Sequence, residues 1–152
     1  MNAYVAPISH AQRRLWFLDR LEPGNSVYNI PVAVRLRGSL DRAALERALQ
    51  AIIGRHDALR TTFAVENGEP VQVVHEAVVL AVAFETVADE AALATQLRDE
   101  ARGAFDLAKG PLLRARLFAR GADDHVLLLT LHHIVSDGWS LGVLVEEFTE
   151  LY

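Results

Sequence analysis

The sequence predicts one α+β domain, an α/β sandwich in which helices cover a mostly antiparallel or mixed sheet. Helix-like and strand-like stretches are interleaved along the whole chain. Asn67-Gly68 is a strong hairpin signal between two strand-like runs. The apolar run 126–131 is typical of a buried strand, and a helix-like stretch follows shortly after it. Together these observations favour a layered fold.

Apolar residues at helical spacing predict four helices, over residues 9–21, 41–54, 89–103 and from 139 to the end of the chain. Ser9, Asp41 and Asp89 are suited to cap the first three. Alternating, β-branched or aromatic residues predict strands over 32–37, 59–65, 71–74, 79–87, 112–119 and 126–132. Residues 25–31 are expected to be irregular.

Composition narrows the class of protein. With 152 residues, 51% hydrophobic and 23% charged, the chain is long and apolar enough to bury a core. A net charge of −5 argues against a nucleic-acid partner. No stretch has the length and apolarity of a membrane span, and the N-terminus lacks the features of a signal peptide. Cysteine is absent, which excludes disulfides and thiolate metal ligands. We therefore expect a cytoplasmic domain without a metal or a membrane partner.

The most informative segment is Leu131-His132-His133-Ile134-Val135-Ser136-Asp137-Gly138-Trp139-Ser140. Two adjacent histidines end a predicted buried strand, and an Asp-Gly turn follows them. A buried imidazole needs a hydrogen-bond partner, and histidine is the side chain that exchanges a proton near neutral pH. This segment is therefore the first candidate for a chemical site.

The two histidines of this segment are predicted to have different surroundings. Successive side chains of a strand point to opposite faces, so His132 and His133 cannot both face one substrate. The same divergence argues against a metal held by the pair, and the other histidines show no ligand spacing. Ser140 lacks a Gly-x-Ser-x-Gly elbow and is predicted to cap the last helix rather than to act as a nucleophile.

The pattern His-His-x-x-x-Asp-Gly resembles the active-site signature of the condensation domains of non-ribosomal peptide synthetases. The wider superfamily shaped like chloramphenicol acetyltransferase shares that pattern. Two earlier segments resemble further motifs of condensation domains, in the expected order: Ser9-His10-Ala11-Gln12-Arg13-Arg14-Leu15-Trp16-Phe17-Leu18 and Arg55-His56-Asp57-Ala58-Leu59-Arg60-Thr61-Thr62-Phe63. Tyr28-Asn29-Ile30-Pro31 is similar to the subfamily that joins two L-configured residues.

The resemblance implies that residues 1–152 form the N-terminal lobe of a condensation domain, shaped like a chloramphenicol acetyltransferase lobe and lacking the C-terminal lobe. The complete domain would be an acyltransferase that joins a donor acyl or peptidyl thioester to the amine of an acceptor aminoacyl thioester. Both substrates would be carried on phosphopantetheine arms, with no cofactor bound directly. The implied partners are donor and acceptor peptidyl carrier proteins, the C-terminal lobe and adjacent synthetase domains. The lobe alone is expected to be inactive.

The resemblance also assigns roles to individual residues. His133 is expected to face the substrates, either as a general base or as a group that positions the amine or stabilises the tetrahedral intermediate. His132 is expected to be held inside the lobe by hydrogen bonds. Asp137 is expected to form a structural ion pair with Arg60 rather than a dyad with His133. Gly138 is expected to give backbone freedom and close approach of the donor arm.

Other functions share parts of this sequence pattern with peptide-bond formation. An epimerisation domain shares the His-His-x-x-x-Asp-Gly signature, and a free acyltransferase that uses coenzyme A or a carrier protein shares the third motif. The heterocyclising relatives carry aspartates in place of the histidines and are excluded. A non-catalytic docking fragment for carrier proteins is the alternative from a different class. The presence of His133, Asp137 and Arg60 argues against it.

Overall fold

The computed structural model describes residues 3–152, so the first two residues of the predicted 1–152 domain lie outside the described residues. In chain order the elements are β1 (Ala3–Pro7), α1 (His10–Leu21), β2 (Asn29–Arg37), α2 (Arg42–Arg55), β3 (Thr61–Glu66), β4 (Glu69–His75), β5 (Val82–Thr86), α3 (Glu90–Ala101), β6 (Leu113–Ala119), β7 (Asp124–His132) and α4 (Gly138–Leu151). Two short 3₁₀ turns, Ser26–Tyr28 and Asp57–Arg60, precede β2 and β3. In residues 3–152, no helix is both long and apolar enough to cross a membrane.

The strands form two sheets. The larger has the order β2-β7-β6-β5, with β5 and β6 parallel and the other pairs antiparallel. The smaller has the order β1-β4-β3 and is antiparallel, with the predicted Asn67-Gly68 turn joining β3 to β4. The predicted α+β class with a mixed sheet is confirmed.

The larger sheet is covered on both faces. Odd-numbered residues of β7 pack with α2 and α4, in a core that includes Leu127, Leu129, Leu131, Leu49 and Phe148. Even-numbered residues of β7 lie on the opposite face, where Leu128 and Val126 pack with Leu93 of α3. Both faces of β7 are therefore buried, which explains its unbroken apolar sequence.

A second core lies beneath the histidine segment. Its buried members come from β3, from the loop before β6 and from the residues after β7; they are Phe63, Phe105, Leu107, Leu112, Ile134 and Val135. Leu15 and Trp16 of α1 pack against them. The residues that follow His133 are thus held by apolar contacts with three other parts of the chain.

The caps of the first three helices were predicted correctly. The side chains of Ser9, Asp41 and Asp89 each accept a hydrogen bond from a backbone N–H in the first turn. Ser9 also forms a capping box with Gln12. The end of α2 is different from the prediction, since the helix continues past Gly54 to Arg55.

Several strand boundaries differ from the prediction, and β1 was not predicted. β4 and β7 each begin two residues earlier than expected. β2 begins at Asn29, within the segment expected to be irregular, because it pairs with β7 as far as His132. Pro31 is tolerated there since β2 is the edge strand of its sheet. β3 begins two residues late, at Thr61, because Asp57–Arg60 forms a 3₁₀ turn. β5 is confined to Val82–Thr86.

Candidate active site

The last residue of β7 is His132, and its side chain is 2% exposed. Its backbone N–H donates to the Leu112 carbonyl at 3.0 Å. Its Nδ1 accepts a hydrogen bond from the backbone N–H of Ile134 at 3.0 Å, so the proton of the neutral ring is on Nε2. The structure thus places His132 inside the lobe, with a hydrogen bond that fixes the orientation of its ring.

Aromatic rings surround the imidazole of His132. Phe105 meets it edge to face, with centroids 6.1 Å apart, and the ring of Tyr28 is tilted against it at 6.4 Å. Burial, with a smaller contribution from the charge of His133, lowers the pKa of His132 to about 4. His132 is therefore neutral at physiological pH and acts as a fixed part of the core.

His133 lies at the surface. Its backbone N–H donates to the Tyr28 carbonyl at 2.8 Å, which ties the turn after β7 to the turn before β2. Its side chain is exposed and lines a shallow groove between α1 and the start of α4. The other lining residues include Ser9, Gln12, Asp137 and Ser140. Of the two histidines, only His133 is placed to meet a molecule from outside.

Asp137 is the N-cap of α4. Its Oδ1 accepts a hydrogen bond from the Ser140 backbone N–H at 2.8 Å and another from the Ser140 hydroxyl at 2.7 Å. These bonds lower the pKa of Asp137 and keep it ionised. The prediction that Ser140 caps the last helix was wrong: Asp137 is the cap, Ser140 is its donor, and the helix begins at Gly138.

The structure does not bring Arg60 and Asp137 together as an ion pair. The Arg60 guanidinium instead pairs with Asp57 and donates to three backbone carbonyls, of Ile53, His75 and Glu76. The 3₁₀ turn 57–60 explains this choice, because it places a carboxylate three residues before the arginine. The expected ion pair between Arg60 and Asp137 is therefore replaced by hydrogen bonds of Arg60 that link the end of α2 to β4.

Gly138 occupies the first position of α4, where a Cβ atom would meet nothing within 4 Å. Its φ is not in the left-handed region, so the fold itself does not demand the backbone freedom expected for it. The open space beside Gly138 is compatible with the close approach of another molecule.

The sequence prediction missed residues that build the His132 pocket. Phe105 is 8% exposed and lies in the loop before β6, outside the three motifs. The Arg114 guanidinium lies 4.0 Å from the centroid of its ring and donates to the carbonyls of Glu100, Gly103 and Ala104 at the end of α3. No periodicity or spacing in the sequence connects these residues to His132.

The candidate site therefore combines three features: the exposed imidazole of His133, the ionised Asp137 that caps α4, and open space beside Gly138 at the start of that helix. The exposed imidazole of His133 can accept a proton or donate a hydrogen bond. The Asp137 carboxylate is committed to Ser140 and does not orient His133 through a hydrogen bond. The geometry thus supports chemistry centred on one histidine rather than a catalytic dyad.

A two-sheet α+β lobe with this histidine segment between α1 and α4 defines the class of protein. The sequence matches the Condensation domain family over residues 2–152, and the chain belongs to that family. It is 48% identical over 153 residues to a linear gramicidin synthase of Brevibacillus parabrevis, and 46% identical over 157 residues to chondramide synthase cmdD of Chondromyces crocatus. These matches cover 96% and 99% of the chain but only 3% and 4% of the relatives.

Solved structures show the same fold. The chain resembles the X-domain in its complex with OxyB from teicoplanin biosynthesis, with a TM-score of 0.89, 34% identity and coverage of 96% of this chain and 32% of that one. The starter condensation domain of rhizomide synthetase RzmA gives a TM-score of 0.88 at 23% identity, over 95% of this chain and 36% of that one. The chain thus spans about a third of these solved domains.

Proposed function

We propose that residues 1–152 are the N-terminal lobe of a peptide-bond-forming condensation domain of a non-ribosomal peptide synthetase. The observation that carries the proposal is the opposite placement of the two histidines, with His132 buried and neutral and His133 exposed in the groove. Membership of the Condensation domain family and the similarity to linear gramicidin synthase and chondramide synthase support it. The C-terminal lobe would complete the groove, and the lobe alone would be inactive.

In the proposed reaction, the amine of the acceptor aminoacyl thioester attacks the carbonyl carbon of the donor thioester. A C–N bond forms, the tetrahedral intermediate collapses, and the donor C–S bond breaks to release the thiol of its phosphopantetheine arm. The proton lost by the amine ends on that thiol. An α-amino group has a pKa of about 8, so a useful fraction is neutral without a base. His133 therefore acts either as the proton carrier or as the donor that positions the amine and stabilises the intermediate.

The remaining residues would support His133 from within the lobe. His132 and Asp137 fix the turn that carries it, through the Ile134 N–H and the start of α4. The open space beside Gly138 would admit the donor arm. Donor and acceptor peptidyl carrier proteins and neighbouring synthetase domains would be the partners, and the site would be cytoplasmic. The two joined residues would be L-configured, as the segment 28–31 suggests.

The test is an intact-mass assay with donor- and acceptor-loaded carrier proteins. The chain is assayed alone and joined to its second lobe, each with His133→Ala and with His10→Ala, an exposed histidine of α1 outside the groove. We expect condensed product only from the two-lobe protein and its His10→Ala variant. Product from the short chain alone would contradict the half-domain proposal. Product that survives His133→Ala undiminished would contradict the role of His133.

A docking role is the second candidate. The similarity to the X-domain, whose solved complex contains OxyB, supports it. In that case the two-lobe protein would bind carrier-linked substrates or a partner enzyme but form no amide bond. The two-lobe protein would then bind these molecules in the reaction mixture of the mass assay but yield no product with any of several donor and acceptor amino acids. That result would favour docking over condensation. Inversion at the α-carbon of a carrier-bound residue would instead indicate epimerisation.

A further inference from the structure

We propose that the contact between His56 and Glu147 positions α4, and with it the Asp137-Gly138 turn beside His133. His56 is the C-cap that directly follows α2, and Glu147 lies on the third turn of α4. Nε2 of His56 is 2.8 Å from Oε2 of Glu147, and the Glu147 side chain is only 19% exposed. Arg55 adds a longer contact of 3.5 Å to the other carboxylate oxygen. Both partners are positioning residues, since neither lines the His133 groove.

The C-terminal half of α4 is firmly attached near this contact. Phe148 is 5% exposed in the core formed with α2. The ring of Tyr152 stacks on Phe148, and its hydroxyl accepts a hydrogen bond from the Asp41 N–H at the start of α2. The hydrogen bond from His56 is the largest cause that lowers the pKa of Glu147, so the carboxylate stays charged. The contact therefore fixes the helix at a point where it already meets α2.

The N-terminal half of α4 is less supported. A cleft of about 190 Å³ lies between it and α2 and reaches the exposed Trp139 and Ser140. Its apolar lining includes Ile52, Leu59, Val143 and Leu144. The first three helical residues, Gly138, Trp139 and Ser140, are exposed. The helix therefore has room to tilt between its first turn and Glu147.

A small tilt is enough to matter. Ten residues separate Asp137 from Glu147, which is roughly 15 Å of helix. Once the contact is lost, a rotation of the helix by about 4° around the anchored Phe148 would move the Asp137 end by about 1 Å at the same rise per residue. Misplacement of that size near reacting atoms can cost on the order of 10²-fold in rate. Loss of the contact should therefore reduce the rate of condensation without removing any group from the groove.

The experiment uses the two-lobe domain, and its catalytic part rests on the proposed function. His56→Ala, Glu147→Ala and the double variant are compared with His56→Gln, which keeps a donor for the carboxylate. Glu69→Ala is the matched control, because Arg13 and Glu69 form an exposed ion pair of 2.7 Å and neither residue lines the His133 groove. We expect kcat to fall about tenfold or more in each single variant, with little further loss in the double variant, since both remove one contact. His56→Gln should recover most of the rate.

A readout independent of turnover is 19F NMR of 5-fluorotryptophan-labelled protein. Trp139 lies on the first turn of α4 and Trp16 on α1, and a Trp139→Phe variant assigns the signals. His56→Ala and Glu147→Ala should shift the Trp139 signal alike and leave that of Trp16 in place.

An unmoved Trp139 signal, or equal loss of rate in Glu69→Ala, would overturn the proposal. If the unmutated domain forms no product, the proposed function fails, while the Trp139 shift still decides the positioning role. Should the alanine variants not fold, His56→Phe and Glu147→Met, which remove the contact but keep side-chain volume, take their place in the same comparison.

Discussion

The imidazole of His132 meets the ring of Phe105 edge to face, with the two planes at 88° and the centroids 6.1 Å apart. On its other side the Phe105 ring is covered by the Arg114 guanidinium, which is bonded to the last carbonyls of α3. The position of the buried histidine therefore depends on the end of a helix on the same face of the sheet. The backbone N–H of His133, one residue later, donates to the Tyr28 carbonyl, and the side chain of His133 is exposed.

The buried His132 makes stability depend on pH. Its pKa is lowered to about 4 in the folded chain, against 6.5 in the unfolded one. Between these values the unfolded chain binds a proton that the folded chain does not, so stability is lost as pH falls from 6.5 towards 4. One such proton changes the free energy of unfolding by at most about 1.4 kcal/mol per pH unit.

Urea unfolding of the two-lobe domain between pH 7 and 4.5 measures this dependence. His132→Gln should flatten the slope in this window, whereas His10→Gln, which removes an exposed histidine, should leave it unchanged. Carboxylates with a lowered pKa, such as Asp137 and Glu147, also make the protein less stable in acid, but they do so in every variant. The difference in slope between the His132→Gln and His10→Gln variants therefore isolates the contribution of His132. Equal slopes for the two variants would contradict a buried neutral His132.

Arg60 and Asp137 should act independently. Arg60→Ala leaves the carbonyls of Ile53, His75 and Glu76 without this donor and should destabilise by about 2–4 kcal/mol. Asp137→Ala removes the cap of α4 and should cost about 1 kcal/mol. Because the two side chains share no contact, the double variant should equal the sum within about 0.5 kcal/mol. A coupling of several kcal/mol in denaturant unfolding would show that they form a buried pair.

The sequence was sufficient for features that depend on near neighbours. Ser9, Asp41 and Asp89 were predictable caps, since the carboxylate or hydroxyl needs only the N–H groups of the next turn. The alternation of a strand predicted only that His132 and His133 diverge. That His132 is buried and His133 exposed was implied by the resemblance to condensation domains. The hairpin at Asn67-Gly68 followed from its turn chemistry, with Asn67 at a φ of 52°.

Features that depend on distant partners were not predictable from the sequence alone. The partner of Arg60 was predicted wrongly because the sequence favours a strand from residue 59, whereas the chain forms a 3₁₀ turn over 57–60 that brings Asp57 to Arg60. That turn is held by the bonds of Arg60 to β4, which lies fifteen residues further along the chain. The early start of β2 at Asn29 depends on its pairing with His132, more than one hundred residues away along the chain, which overrides a weak strand propensity. Phe105 was missed for the same reason, since its contact with His132 exists only in the fold.

Ser136 should tolerate the loss of its hydroxyl. Its side-chain oxygen is buried and has no hydrogen-bond partner among the described residues, although it lies within the histidine segment. Ser136→Ala removes an unpaired polar atom and should be neutral or stabilise the fold by up to about 1 kcal/mol. Ser140→Ala is the matched variant, since it removes a hydroxyl that donates to Asp137, and it should destabilise by about 1 kcal/mol. Thermal unfolding compares them, and a marked loss in Ser136→Ala would show a partner, such as an ordered water, that the hydroxyl binds.

Two glycines should respond to alanine in opposite directions. At Gly103 a Cβ atom would lie 2.7 Å from Arg114 Nη2, so Gly103→Ala must displace the guanidinium that bonds to the end of α3 and covers Phe105. We expect a loss of about 1–3 kcal/mol from this overpacking. At Gly54, inside α2, a Cβ atom would meet nothing within 4 Å, and Gly54→Ala should gain about 0.5–1 kcal/mol from helix propensity. Denaturant unfolding of both variants gives the comparison, and the His132 ring resonances report the site. If Gly103→Ala moves Arg114 off Phe105, the His132 resonances should shift in that variant and stay in place in Gly54→Ala. Unchanged His132 resonances in both variants would show that Arg114 does not influence the histidine pocket.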